Sequence, residues 1–468
     1  MLGQAMIASL WLAACLLAAV PAGAETASSG AADWIKVSGA SAERVPEPVF
    51  GGRVMLYRAG KPGGDPVVLI HGLGNPGSRD WAKVIPALAQ SYDVYALDLP
   101  GFGLSDKGNH LYSPSNYVRV LDAVLDGRPS RPFALIGHSM GGAVALAYAA
   151  TYPHRVRRLI VVDAAGVLHR SVYGEFLARA AAERALGLDA PWLDSVIRMI
   201  QVRAENLPVM SGIALHLPEA RQRLLRGDPG AIAALALVEH DLSRALRGIA
   251  APTLIVWSSD DSIAPLRTGQ ALAAVIPGAR LVIIPHAGHE PHLTMPERFN
   301  AVVRDELRGR LEAKPYALAR GTIEAGRAAR CTGERGAEFH GDYDELVLEG
   351  CTGVEVTDAR IGRLVAAHSE ARIVNSHILD GVEARDSRLE FTAGSLGGNP
   401  PLALDASNVD TVGMRFEPQG VVADNRGSGP VTLRISVSEI ARGSAPPRYA
   451  HEIVRLAPGQ RWNPRARR

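Results

Sequence analysis

Short apolar blocks recur along the chain, with polar stretches between them. They are Arg53–Arg58, Val67–Ile70, Tyr92–Leu97, Phe133–Ile136, Leu159–Val162, Thr253–Trp257 and Leu281–Ile284. The later ones are continuous rather than alternating, as strands buried on both faces require. Most intervals suit one helix, so the pattern predicts a mostly parallel sheet with crossover helices, an α/β fold. The clearest helix runs from Met140 to Tyr152, rich in Ala and stopped by Pro153. Pro296–Leu311 closes the series as another helix, with Phe299, Val302, Val303 and Leu307 on one face. Ahead of the series, residues 24–49 are polar, with a single strand-like piece at Trp34–Val37.

The interval from Val162 to Thr253 is much longer than the others. Ser171–Leu186, Pro191–Arg203, Pro218–Leu225 and Ala231–Leu246 read as helices there. An all-helical lid over about residues 166–246 would sit at the carboxyl ends of the strands, where α/β sites lie. Its apolar residues (Leu193, Ile197, Met199, Ile200, Val209, Met210) either line a pocket or form the lid's own core.

Lys314-Pro315 marks a boundary, so the first domain spans residues 34–314. From residue 320 to 468 the texture is β-rich. Asp358-Ala359-Arg360-Ile361, Glu370-Ala371-Arg372-Ile373 and Glu383-Ala384-Arg385-Asp386 recur at nearly even spacing. Short β-type pieces accompany them at Val354–Val356, Ile373–Val374, Ile378–Leu379 and Leu389–Phe391, and Val431–Val437 reads as a further strand. Such repeats predict the stacked rungs of a small parallel β-helix; a small β-sandwich is the competing expectation.

Composition changes the picture little. The chain has 468 residues, long enough for more than one domain. A net charge of +2 and 5% aromatic residues give no footing for nucleic acid. The N-terminus matters more. Met1–Ala24 carries no charged side chain, Met6–Val20 is almost continuously apolar, and Ala22-x-Ala24 fits a small-residue cleavage site. This predicts a signal peptide cut after Ala24 and a secreted or periplasmic protein. It lacks the usual Lys or Arg before the apolar core, and the run is shorter than the roughly 20 residues of a membrane span. A retained anchor, or a lipoprotein box at Leu12–Cys15, is the alternative. Past this segment the remaining cysteines are Cys331 and Cys351, which either pair or stay as buried thiols.

The candidate chemistry begins at Gly137-His138-Ser139-Met140-Gly141, between an apolar strand and a helix. In G-x-S-x-G the serine stands on a tight strand-to-helix turn that leaves no room for side chains two residues either side. A helix N-terminus beside it supplies backbone N–H groups to a reacting oxygen. Serine needs a base, and the base needs an acid to fix its tautomer. Asp260-Asp261 follows the Thr253–Trp257 strand, and His286-Ala287-Gly288-His289-Glu290-Pro291-His292 follows Leu281–Ile284. The order Ser, Asp, His suits this elbow.

Together these segments resemble the α/β-hydrolase fold superfamily, in particular its lid-bearing esterases, lipases and carbon–carbon hydrolases. His71-Gly72-Leu73-Gly74 is similar to the family's HG segment, and Asp98–Ser105 to its D-x-P-G-x-G-x-S segment. Asp261–Pro265 resembles its D-x-I/V-x-P acid segment, and Gly288-His289 with Pro296-Glu297 its histidine segment. The resemblance covers about Arg53 to Leu311. It implies Ser139 as nucleophile, His289 as general base, Asp261 as orienting acid, and the Leu73 and Met140 amides as oxyanion hole. Asp260 and Asp163 are rival acids; the spacing to Ile263 and Pro265 favours Asp261. His286 and His292 would shape the loop or meet substrate, His71 and His138 would hold backbone hydrogen bonds, and Asp98 would fix its own turn. Ser258 stands where the family usually has Gly. Serine at the elbow sets the chain apart from relatives that carry Asp there.

The expected function is therefore a serine hydrolase cleaving carboxylic esters through an acyl-enzyme. A carbon–carbon hydrolase or perhydrolase on the same triad is the alternative. The expectation includes no cofactor and no metal: His286, His289 and His292 have loose ligand-like spacing, but the triad accounts for His289 better. The expected partner is a small or lipid-like ester. A further possibility is that residues 320–468 bind a polysaccharide or cell surface, with the hydrolase as accessory.

Overall fold

The structure, a computed structural model, describes residues 31–174, 176, 222, 224–316, 323 and 327–464. The leader Met1–Ala24 and the expected helix Pro191–Arg203 lie outside those residues, as do most of Ser171–Leu186, Pro218–Leu225 and the lid as a whole. No helix among the described residues is long and apolar enough to cross a membrane. The described residues form two compact units. One reaches Gly269 and resumes over Gly278–Ala313; the other holds Gln270–Pro277 and continues from Lys314.

The first unit is built on an eight-stranded sheet of order β1-β2-β4-β3-β5-β6-β7-β8. Its strands are β1 Ser41–Pro46, β2 Arg53–Gly60, β3 Asp65–Ile70, β4 Tyr92–Leu97, β5 Phe133–His138, β6 Val156–Val162, β7 Thr253–Ser258 and β8 Arg280–Ile284. β1, β2 and β4 pair antiparallel, and all later neighbours pair in parallel. Every residue of β4, β5 and β7 is buried, which is why β5 and β7 read as nearly continuous apolar runs; in β4 the run is broken by Asp93, which accepts from Arg58. Each fully buried Leu or Ile there contributes about 1.5–3 kcal/mol.

The α-helices among the described residues are α1 Ile85–Ala89, α2 Pro114–Val124, α3 Met140–Thr151, α4 Pro229–Val238, α5 Ser243–Leu246, α6 Leu266–Val275, α7 Pro291–Thr294 and α8 Pro296–Leu307. Ser113 caps α2, its side chain accepting from the Asn116 amide, with Pro114 at the first helical position. Phe299, Val303 and Leu307 of α8 are buried, as their spacing predicts, while Val302 is half-buried. Two local expectations fail. Trp34–Val37 forms turns, with the Ile35 amide folded back on the Ala32 carbonyl at 2.8 Å, and the edge strand is β1 instead. The helix expected over Ala231–Leu246 breaks into α4 and α5.

The second unit is an eleven-stranded sheet. Its strands are β9 Arg327–Thr332, β10 Glu338–Glu349, β11 Val354–Ala367, β12 Glu370–Arg385, β13 Arg388–Leu396, β14 Leu402–Asp405, β15 Asn408–Phe416, β16 Ala423–Asn425, β17 Val431–Arg442, β18 Ala445–Leu456 and β19 Arg461–Trp462. From β9 to β17 every pairing is parallel; only β18 and β19 pair antiparallel. A Greek-key sandwich would pair antiparallel, so the ladder departs from that expectation.

The repeat has a backbone cause. Asp358, Asn375, Ala393, Gly413 and Val437 all have positive φ and stand in one column of the ladder. Gly333, Gly350, His368, Asp386 and Ala406 form a second such column. A left-handed residue resets the in/out alternation and bends the strand, at about 1–2 kcal/mol for a residue with Cβ. Buried serines follow the corners and satisfy amides of the preceding rung. Ser369 Oγ accepts from the Cys351 amide 18 residues earlier, and Ser376 Oγ from the Ala359 amide 17 residues earlier. Ser387 and Ser407 continue the column. The acidic-Ala-Arg triplets that suggested the repeat do not occupy equivalent positions: Arg360 pairs with His377, and Arg372 with Glu355 and Glu390. Corners and serines set the rung, and the triplets are incidental to it.

Cys331 and Cys351 are bonded to each other and fully buried. Their separation of 20 residues gives about 3 kcal/mol of stabilisation by loop-closure entropy. Replacing both with serine should lower the unfolding midpoint of the second unit by several degrees in thermal circular dichroism. An unchanged midpoint would show that the bridge does not form.

Candidate active site

β5 ends in His138 and α3 begins at Met140, so Ser139 is the whole turn between them. Its backbone stands at φ 51°, ψ −119°, a strained conformation for a residue with Cβ. The Ser139 amide donates to the Val162 carbonyl at 3.0 Å, and its carbonyl accepts from Gly142, Ala143 and Ala165, which hold the turn against relaxation. The flanking glycines are fixed by close approach. A Cβ on Gly137 would overlap the Gly141 carbonyl, and a Cβ on Gly141 would overlap the carbonyl oxygens of Ile70 and His71. The elbow is therefore pressed against the end of β3, and a Cβ on Gly72 would lie 3.2 Å from that of Ser139. Met140 is the first residue of α3, so its N–H has no intrahelical acceptor.

Ser139, Asp261 and His289, each beyond a different strand, meet. His289 Nε2 lies 2.9 Å from Ser139 Oγ, and His289 Nδ1 lies 2.7 Å from Asp261 Oδ2. The Asp261 side chain is fully buried, and its other oxygen accepts from the Ile263 and Ala264 amides at 2.7 and 2.9 Å. With Asp261 accepting from Nδ1–H, Nε2 presents its lone pair to the hydroxyl.

The rival acids have other partners. Asp260 accepts from Ser258 Oγ at 2.6 Å and the Gly288 amide at 3.1 Å, so it ties the acid loop to the histidine loop. Its pKa is lowered, chiefly by the Ser258 hydroxyl. Ser258, where the family usually has Gly, thus has a bonding role. Asp163 is fully buried and accepts from the Ser258 amide at 2.9 Å. Burial, and then the neighbouring Asp261 charge, push its pKa well up.

The histidines divide by environment. His71 Nε2 accepts from the Leu99 amide at 2.9 Å while Nδ1 lies 2.6 Å from the Gly72 carbonyl; burial lowers its pKa, and it is neutral. Asp98 accepts from Ser78 N, Leu104 N and Tyr57 Oη, bracing more than its own turn. His286 is exposed, with positive φ. His292 is fully buried against Trp81, with ring centroids 4.7 Å apart, and reaches no open surface on which to meet substrate. Its pKa falls to about 4, through burial and then the His138 charge. His138 lies between Asp80 and the His289 backbone. Asp80, His138 and His292 offer metal-ligand atoms within 4.8 Å of one another, a set different from the loosely spaced trio of the histidine loop. Asp80 carries no signal in the sequence: a single carboxylate in a loop has no periodicity, and only folding puts it among histidines. A cleft of about 430 Å³ bordered by Arg58, Asp93, Arg128 and Arg131 contains none of these residues.

Known proteins share this framework. The pattern of a family described as the alpha/beta hydrolase fold matches residues 65–296. The chain is 32% identical over 269 residues to 2-hydroxymuconate semialdehyde hydrolase of Pseudomonas sp. (strain CF600), covering 54% of this chain and 90% of that protein. It is 30% identical over 271 residues to 2-hydroxy-6-oxo-2,4-heptadienoate hydrolase of Pseudomonas putida, covering 52% of this chain and 89% of that protein. Among solved structures, a meta-cleavage product hydrolase from Pseudomonas fluorescens is similar at 26% identity and a TM-score of 0.41, covering 57% of this chain and 98% of that one.

Gly141→Ala tests the elbow's packing. The added methyl meets backbone oxygens that cannot rotate away, so the substitution should destabilise the first unit by on the order of 3 kcal/mol in urea titration. A variant with an unshifted midpoint would mean that the helix does not approach β3 so closely.

Proposed function

The chain belongs to the α/β hydrolase fold family, and we propose that it is a serine hydrolase acting on carboxylic esters through Ser139, His289 and Asp261. The observation that carries this reading is the 2.9 Å approach of His289 Nε2 to Ser139 Oγ. Ser139 Oγ attacks the ester carbonyl carbon as its proton passes to His289 Nε2. Asp261 stabilises the imidazolium through Nδ1–H. The Leu73 and Met140 amides receive the oxyanion. Collapse expels the alkoxide, which takes the proton from His289 and leaves as the alcohol. Water, deprotonated by His289, then attacks the acyl-Ser139 carbonyl carbon; the bond to Ser139 Oγ breaks, His289 returns the proton to that oxygen, and the acid leaves.

A second reading keeps the residues and changes the bond. The two curated relatives above are named for hydroxymuconate semialdehyde and hydroxy-oxo-heptadienoate substrates, which favours hydrolysis of a carbon–carbon bond next to a ketone. There the leaving carbon, rather than an alkoxide, must be protonated.

The Met1–Ala24 leader and the Cys331–Cys351 bond both support export to an oxidising compartment. We read the second unit as a short β-helix and assign it no ligand. Many of its exposed charges pair across rungs, as in Arg363–Glu383 and Arg330–Glu349.

A fluorophosphonate probe should add covalently to the wild type and not to Ser139→Ala. Turnover of p-nitrophenyl esters should fall by on the order of 10⁴-fold in Asp261→Asn, with KM little changed. Labelling that survives Ser139→Ala would remove the nucleophile. Turnover of a vinylogous 1,5-diketone but of no ester would select the carbon–carbon reading. Expressed with its leader, the mature protein should begin at Glu25 on N-terminal sequencing; an intact Met1 would end the export proposal.

A further inference from the structure

A second carboxylate–histidine pair adjoins the first. His138 directly precedes Ser139, and its side chain is 3% exposed. Nδ1 lies 3.0 Å from Asp80 Oδ2, and Nε2 lies 2.8 Å from the backbone carbonyl oxygen of His289. Both neighbours are acceptors, so both ring nitrogens must donate, and only the imidazolium carries two N–H groups. A neutral ring would turn a lone pair toward either the carboxylate or the carbonyl. Asp80 Oδ2 also accepts from the Gly72 amide at 3.3 Å, one residue before Leu73. One ion pair therefore touches the elbow, the histidine loop and the oxyanion loop.

We propose that His138, held as an imidazolium by Asp80, is a positioning residue that sets where His289 and the Gly72–Leu73 loop stand relative to Ser139. This rests on the triad reading given above.

The surrounding groups fit. Burial alone lowers the His138 pKa, but the Asp80 charge and hydrogen bond, the His289 carbonyl and Glu290 outweigh it, and the net shift is upward. Two rings face the charge: that of His289, its centroid 5.0 Å from that of His138, and that of His292, at 4.4 Å. With a pKa of about 4 His292 is neutral at working pH, and its Nε2 sits 3.2 Å from Asp80 Oδ1 without hydrogen-bonding geometry. His71, whose pKa is lowered, is neutral as well. Asp80 is held well below the usual carboxylate range, burial being overcome by His138 and then His292. The sign follows. The raised His138 pKa means that the clamp is intact at low and neutral pH and is lost as pH rises through that value.

The test measures the rate constant of fluorophosphonate addition to Ser139 against pH, up to about pH 10. It uses the full chain as wild type, Asp80→Asn and His138→Gln, each with its melting temperature. The wild-type rate should fall on the alkaline side while the chain is still folded. Asp80→Asn, without the countercharge, should move the alkaline limb to lower pH. His138→Gln, which cannot titrate, should lack that limb and run about tenfold or more below the wild-type plateau. Two folded variants with the wild-type profile would overturn the proposal. If neither variant folds, the wild type decides: a rate flat to the alkaline end overturns it and a fall supports it. Loss of labelling on dialysis against EDTA, restored by zinc, would make the cluster a metal site and overturn the proposal too. A wild type that never labels would overturn the triad reading first, which is a distinguishable failure.

Discussion

The contact between the start of α3 and the end of β3 is the constraint on which the site depends. Gly141 lies against the carbonyl oxygens of Ile70 and His71, with no space for a methyl group. That approach forces Ser139 into its positive-φ turn and keeps the segment after His71 close to the helix N-terminus. A strained residue persists only where its surroundings over-determine it. Here the Ser139 amide is bonded to the last residue of β6, and its carbonyl to Ala165 just beyond β6 and to the first turn of α3. The nucleophile's direction is therefore a property of the sheet's packing rather than of the serine.

Around this fixed point the protein places side chains of the same type in different charge states. His71 is neutral because a backbone N–H occupies one nitrogen and burial disfavours charge. His292 is neutral because it is buried beside a cation. His138 is charged because both its neighbours are acceptors. The carboxyls divide likewise: the pKa of Asp80 is held down between histidines, whereas burial and then the Asp261 charge push that of Asp163 up. Burial sets the direction for His71, His292 and Asp163, whereas partner charges override it for His138 and Asp80.

Much of the first unit is legible in the sequence because its strands are buried on both faces and its motifs are steric necessities. Gly137, Ser139 and Gly141 must be spaced as they are, so their letters disclose their geometry. Asp261 and His289 can be picked out because each follows an apolar strand. Asp80 cannot, since its meaning comes from histidines distant in sequence. Trp34–Val37 misleads because its apolar residues serve a turn that packs on the core. In the second unit the β character is plain, but the visible acidic-Ala-Arg triplets conceal the true repeat. The rung is set by αL corners occupied by Asp, Asn, Ala and Gly alike, and by serines that look like ordinary polar residues.

Those corners also say where the second unit tolerates change. Ser369 reaches its amide across 18 residues, Ser407 across 20 and Ser438 across 24, yet the same contact is made each time. The surplus length must be taken up between the corners, for example in residues 397–401, where the ladder is interrupted. A foreign peptide grafted into that gap would leave every rung in register. One grafted beside Ser387 would throw the whole remaining stack out of phase.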